Sequence, residues 1–141
     1  MLLEATRSRL VDAEDSDYEL ARAYLEGFGR LGDFGLIAEV EGKPAGAAWA
    51  RSFDYEEPGL AFVAPFLPEL VIAVSEDYRR QGIGSKLLIE LLKLAKENQC
   101  AFVTAAVGRN TPGQKLLMKF GFADAGLTSP DEQIKALLGC V

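Results

Sequence analysis

The stretch that most restricts the fold of this chain is a strand, a glycine loop, a helix and a second strand in unbroken succession. The strand is Glu69-Leu70-Val71-Ile72-Ala73-Val74. Short and nearly all apolar, it has the pattern of a central strand covered on both faces. Arg79-Arg80-Gln81-Gly82-Ile83-Gly84 follows, and then Ser85 and Lys86. From there Ile83, Leu87, Leu88, Leu91, Leu94 and Ala95 recur on one face of a helix predicted over 80–98, with Lys86, Glu90, Lys93 and Glu97 mostly elsewhere. Cys100 to Val107 reads as the second apolar strand. A strand–helix–strand unit of this length implies parallel pairing through a right-handed crossover, which makes the chain an α/β protein.

The junction of strand and helix is chemically specific. A helix start presents backbone N–H groups that lack intrahelical partners and carries about half a positive charge from the macrodipole. An anion supplies the missing acceptors. Gly82 and Gly84 have no Cβ, so a phosphate can approach the main chain and the loop can take torsions that other residues resist. Arg79, Arg80 and Lys86 add positive charge at the same place. Neither familiar phosphate loop fits the spacing. A Walker A loop needs two glycines separated by four residues and then Lys-Ser or Lys-Thr, whereas the order here is Gly-Ile-Gly-Ser-Lys. A dinucleotide fingerprint needs a third glycine where this chain has Leu87. What is left, RxxGxG between strand and helix, reads as a phosphate cradle or as a tight turn with its charges in solvent.

A length of 141 residues with 49% hydrophobic content suits one domain, 1–141, around a single core. The net charge of −6 lacks the basic footprint of nucleic-acid binding. It leaves room for a cationic partner. No apolar run approaches the ~20 residues of a membrane-spanning helix, and the start of the chain does not read as a secretory signal. Cys100 and Cys140 are far apart in sequence and the chain has no histidine, so neither a zinc site nor a disulfide framework is expected, and a reduced cytoplasmic setting is. Without histidine, acid–base work falls to carboxylates, tyrosine, lysine, cysteine or water.

Elsewhere, residues 2–10 read as an edge strand. Ser16 and Glu19 resemble a capping box opening a helix over 16–27. Phe34 to Glu41 and Ala45 to Phe53 are strands joined by Glu41-Gly42-Lys43-Pro44, an antiparallel hairpin. Residues 54–68, with four prolines and glycines, form a loop with a short strand at 60–63, the kind of segment that often contacts substrate. Thr111 and Pro112 open a further helix that ends near Gly121, and Phe122 begins another strand. Residues 132–139 fit helix or strand equally.

Two motifs at this separation resemble those of the Gcn5-related N-acetyltransferase (GNAT) superfamily. ELVIAVSEDYRRQGIGSKLL, 69–88, is similar to that family's acyl-CoA motif, and VGRNTPGQKLLMKFGF, 107–122, to the motif that follows it. The order of elements also matches over most of the chain. The resemblance implies a single-domain mixed sheet, an antiparallel N-terminal hairpin beside a central parallel pair, flanked by helices, with acetyl-CoA as cosubstrate. It implies that the backbone of Ile72, Ala73 and Val74 receives the pantetheine arm and that Arg79, Arg80, Gln81, Gly82, Ile83, Gly84 and Ser85 surround the pyrophosphate. Asn110 matches a cofactor-contacting asparagine, though it also suits a turn before a helix. The tyrosine that many relatives use as general acid is Leu117 here. Leucine donates no proton, and Tyr55 and Tyr78 do not stand at that spacing.

The best base is Glu69, at the head of the central strand, followed by Asp54 or Glu56. The bland alternative for Glu69 is a solvated strand end. A strand amide near Val74 could polarise the thioester carbonyl. The expected activity is acetyl transfer to a primary amine of a small molecule or peptide by direct attack. A non-catalytic acyl-CoA sensor is the alternative, and a homodimer could form through an exposed sheet edge.

Overall fold

Two tight turns and one crossover set the order of strands in the sheet. The computed structural model describes residues 32–56 and 62–141. The expected edge strand at 2–10 and helix at 16–27 lie outside the described residues, and the short strand expected at 60–63 falls largely outside them; Phe62 and Val63 are not strand.

β1 (Phe34–Val40) and β2 (Lys43–Arg51) pair antiparallel around Glu41 and Gly42, whose φ angles are 52° and 77°. Two residues at positive φ make the turn type that matches strand twist. The loop is therefore shorter than its composition suggested, and Lys43 and Pro44 already belong to β2. Pro44 is tolerated because the ladder shifts register at Ala38/Glu39, beside its partner.

β2 pairs antiparallel with β3 (Glu69–Val74), whose bounds match the sequence reading. A single 3-10 turn (Glu76–Tyr78) leads to α1 (Ile83–Glu97), which starts three residues later than periodicity placed it. The reason is conformational: Arg80 and Gly82 are left-handed, at φ 64° and 79°. α1 crosses over to β4 (Phe102–Gly108), followed by α2 (Pro112–Lys119), β5 (Ala123–Thr128) and β6 (Ile134–Cys140). Of residues 132–139, those from Ile134 onward thus resolve as strand. β6 inserts antiparallel between β4 and β5, giving the order β1-β2-β3-β4-β6-β5.

Strand alternation sorts side chains onto two faces. Ala48, Ala50, Leu70, Val103, Ala105 and Val107 pack under α1 through Leu87, Leu88 and Leu91. Ala47, Trp49, Phe53, Val71 and Ala73 cluster on the other face. α2 ends as its motif requires. Gly121 takes φ 90°, and buried Phe122 lies against Gly139 of β6, where a Cβ would sit 2.6 Å from its ring.

Candidate active site

The glycine loop and the parallel strand pair meet at one end of the sheet. At that end α1 begins without a side-chain cap. Its N-cap is Gly82, and the first helical bond is donated by the Lys86 N–H to the Gly82 carbonyl at 3.1 Å. The amides before Lys86 are those a helix cannot satisfy internally. A Cβ on Gly82 would meet nothing within 4 Å among the described residues, so open space adjoins the loop there, and the glycine is required by its torsion rather than by crowding. Gly84 differs: its φ is not positive, and a Cβ there would lie 3.4 Å from Leu116 Cδ2 and 3.8 Å from Val74 Cγ2. It marks where α1, α2 and β3 converge.

Around this start Arg79, Arg80, Gln81 and Lys86 are exposed, and Gly84 and Ser85 half-buried. Arg79 Nε donates to the Val74 carbonyl at 3.1 Å, tying the loop to the end of β3. Gln81 reaches the Asp77 carbonyl at 3.5 Å, and Ile83 is buried in the core.

The parallel pair is joined at one point only among the described residues. Glu69 is opposite Thr104, and the Thr104 N–H donates to the Pro68 carbonyl at 2.9 Å. Past that point the ladder stops, although β3 runs to Val74 and β4 to Gly108. The result is a notch, closed at Glu69–Thr104 and open toward the glycine loop. Which backbone groups face it follows from the β2 side. The Ser75 N–H donates to the Ala45 carbonyl at 2.8 Å, so odd-numbered residues of β3 turn their backbone to β2 and even-numbered ones to β4. Ile72 and Val74 therefore direct backbone groups into the notch, and Ala73 does not. Ala73 turns its backbone groups toward β2 instead. Val74 stands at the open mouth beside the loop.

Asn110 is at the same end, because the C-terminal ends of parallel strands lie together. It is exposed and left-handed at φ 60°, and its N–H donates to Gln114 Oε1 at 2.6 Å. Thr111 caps α2 by accepting from the Gln114 N–H at 3.3 Å. Leu117 is buried in the apolar cluster under α1.

Glu69 is not a solvated strand end. It is 1% exposed and stands directly across β2 from Arg51, itself 1% exposed. Arg51 Nη2 meets Asp33 Oδ2 at 2.8 Å, with its Nε at 3.2 Å from the same oxygen. Arg51, Glu69 and Thr104 thus form a buried polar row across three strands, on the face away from α1. Sequence reading missed Arg51, Asp33 and Thr104. The available signal was Arg51 itself, the one charge in the run 45–53, which implies a buried partner; Thr104, a β-branched strand residue, gave none. Asp54, Tyr55 and Glu56 follow β2 at the closed end of the notch. Tyr55 is exposed and packs edge-on against Phe62 at 5.2 Å, while Tyr78 packs against the core near the loop.

A separate concavity of about 550 Å³, lined by Phe66, Leu67, Pro68, Cys100 and Phe102 among others, lies beyond the N-terminal ends of β3 and β4. Burial pushes the Cys100 thiol above its ordinary range. Ligands of parallel sheets bind at the opposite, C-terminal ends, where the glycine loop is.

The acetyltransferase (GNAT) family model matches residues 2–122. No curated protein matches the chain. Among solved structures, the ribosomal-protein-alanine N-acetyltransferase of Brucella melitensis is 25% identical, with 98% of this chain and 88% of that one covered at a TM-score of 0.72. An N-acetyltransferase of Staphylococcus aureus is 26% identical, covering 84% of this chain and 72% of that one at 0.62. The PaiA N-acetyltransferase of Thermoplasma acidophilum, a complex with coenzyme A, is 16% identical, covers 99% and 90% at 0.70, and shares the fold.

Proposed function

Because the chain belongs to the GNAT acetyltransferase family, we propose that it transfers an acetyl group from acetyl-CoA to a primary amine of a small molecule or peptide. The observation that carries this reading is the meeting of an uncapped helix start with a strand notch. The first offers amides and a positive field to a pyrophosphate. The second offers strand-edge hydrogen bonds to an extended arm. The residues fit the group: Gly82 leaves open space beside the amides, and Arg79, Arg80 and Lys86 stand around them. Relatives of the same fold crystallised with coenzyme A support the same ligand.

Acetyl-CoA supplies an acyl group activated by a good leaving thiol. The amides from Arg80 to Ser85 hold its pyrophosphate, Ile72 and Val74 hold its arm by their backbone, and Asn110 adds a contact from the end of β4. Arg79 steadies the loop from the Val74 carbonyl. Glu69, at the closed end, takes the proton of the incoming ammonium directly or through a water. Its neighbour Arg51 holds the row in place through Asp33. The carboxylates of Asp54 and Glu56, at that same end, favour a cationic acceptor.

Buried Leu117, where many relatives have a proton-donating tyrosine, favours a second reading: a sensor that binds acyl-CoA without turnover. Thiol release from acetyl-CoA across a panel of primary amines separates the two. The enzyme reading predicts amine-dependent release that Glu69→Gln reduces at least about tenfold; binding of acetyl-CoA with no release above the amine-free rate would make the chain a sensor. Leu117→Tyr should raise the rate if acid assistance is missing, and an unchanged rate would show that departure of the thiol needs none.

A further inference from the structure

We propose that the Thr104 hydroxyl is a catalytic contact to the acyl end of the bound thioester, donating a hydrogen bond to its carbonyl oxygen; the proposal rests on the acetyl-CoA reading above. Thr104 is 0% exposed, and its Oγ1 has no hydrogen-bond partner among the described residues. Burying a hydroxyl without a partner works against folding. Valine has nearly the same shape and an equal liking for strands. A hydroxyl held there at such a cost points to a partner that the chain does not itself provide.

Position identifies the partner. Thr104 is the β4 residue of the one pair that joins β3 to β4, so it stands where the notch closes. With phosphates on the amides at Gly82–Ser85, an arm extended back along β3 spans six residues at about 3.3 Å each and brings its far end to this closure. On the α1 face the closure is walled by apolar side chains, Leu70 and Val103 among them. On the other it meets the row of Arg51, Glu69 and Thr104. Arg51 is engaged by Asp33, and an ionised Glu69 can only accept. A thioester has no N–H or O–H to give, and its carbonyl oxygen accepts far better than its sulfur, so the hydroxyl must donate to that oxygen.

The contact strengthens as the reaction proceeds. The amine lone pair forms the C–N bond while the carbonyl π pair moves onto oxygen; when that pair returns, the C–S bond breaks with its electrons on sulfur, and the proton lost from the nitrogen passes to that thiolate or to water. A donor already aimed at the oxygen holds the charge in transit. Leu117 cannot contribute here, and Thr104 supplies the side-chain assistance from the opposite face of the sheet.

The test compares acetyl-CoA with desulfo-CoA, which ends before the thioester, by calorimetry on the wild type, Thr104→Val and Thr104→Ser. Thr104→Val should bind acetyl-CoA about five- to tenfold more weakly, leave desulfo-CoA within about twofold, and unfold at no lower temperature than the wild type. Thr104→Ser should bind both ligands as the wild type does. Unchanged acetyl-CoA affinity in a folded Thr104→Val, or equal losses for both ligands, would overturn the proposal and leave the acetyl-CoA reading intact. Should Thr104→Val not fold, Thr104→Ala against Thr104→Ser makes the same comparison. A wild type that binds neither ligand would overturn the acetyl-CoA reading and the proposal with it.

Discussion

Gly82 and Gly84 share one motif and answer to different constraints. Gly82 sits at φ 79° with open space where a Cβ would go. Alanine there is strained by about 1 kcal/mol through torsion alone, and relief of that strain would rotate the amides at the start of α1. Gly84 has no such torsion, and its added methyl would meet Leu116 at 3.4 Å, an ordinary contact. Gly82→Ala should therefore weaken acetyl-CoA binding several-fold, while Gly84→Ala stays within about twofold, both read by calorimetry. The Arg51–Asp33 pair makes a different kind of demand, since both side chains are almost fully buried, at 1% and 2% exposure. Removing one partner from a buried ion pair costs about 3 kcal/mol or more, so Asp33→Ala should lower the unfolding free energy obtained from a urea titration by that amount. A change under about 1 kcal/mol would mean that water reaches the pair.

The β5–β6 hairpin is the part of the sheet whose stability should follow pH. Asp131 accepts from the Ser129 hydroxyl and from the Gln133 N–H, which together hold its carboxyl below the usual range. Asp124 is lowered first by the Gly126 N–H, at 2.8 Å, and then by Lys135, at 3.0 Å. A carboxyl depressed in the folded state lends stability that is complete above its unfolded pKa of about 4 and is lost as pH falls below that through the native value. Amide exchange in β5 and β6 should accelerate on acidification from pH 5 to pH 2, relative to that in β1–β3, and the double change Asp124→Asn, Asp131→Asn should flatten the difference. The two hairpins also mark what sequence reading could reach. Strands with an apolar run, such as β3, were legible to the residue, because burial on both faces leaves no other pattern. The β1–β2 turn was placed correctly but too wide, since composition names turn residues and does not say which two carry the positive φ. β6 stayed ambiguous because a short apolar run has no period of its own until β4 pairs with it.

Across the molecule, the glycine loop was legible in the sequence and the closed end of the notch was not. The glycine loop is contiguous in sequence, so its spacing survives as a motif. The closed end of the notch is built from Asp33, Arg51, Glu69 and Thr104, brought together only by the register of β2, β3 and β4. Of these only Glu69 was singled out, and burial beside Arg51 replaces the solvated strand end that its position alone allowed. Ala73 shows the same limit in small: a motif marks a run of residues, and only the ladder tells which of them turn their backbone into the notch. The proposed placement of acetyl-CoA, from the α1 start along β3, joins the two ends. It is tested most directly by titrating acetyl-CoA into the wild type and into Gly82→Val, a change that fills the loop's open side and opposes its torsion. One-to-one binding well below millimolar is expected for the wild type, with a loss of at least about tenfold in the variant; no binding at millimolar acetyl-CoA, or equal affinity in the two proteins, would rule that placement out.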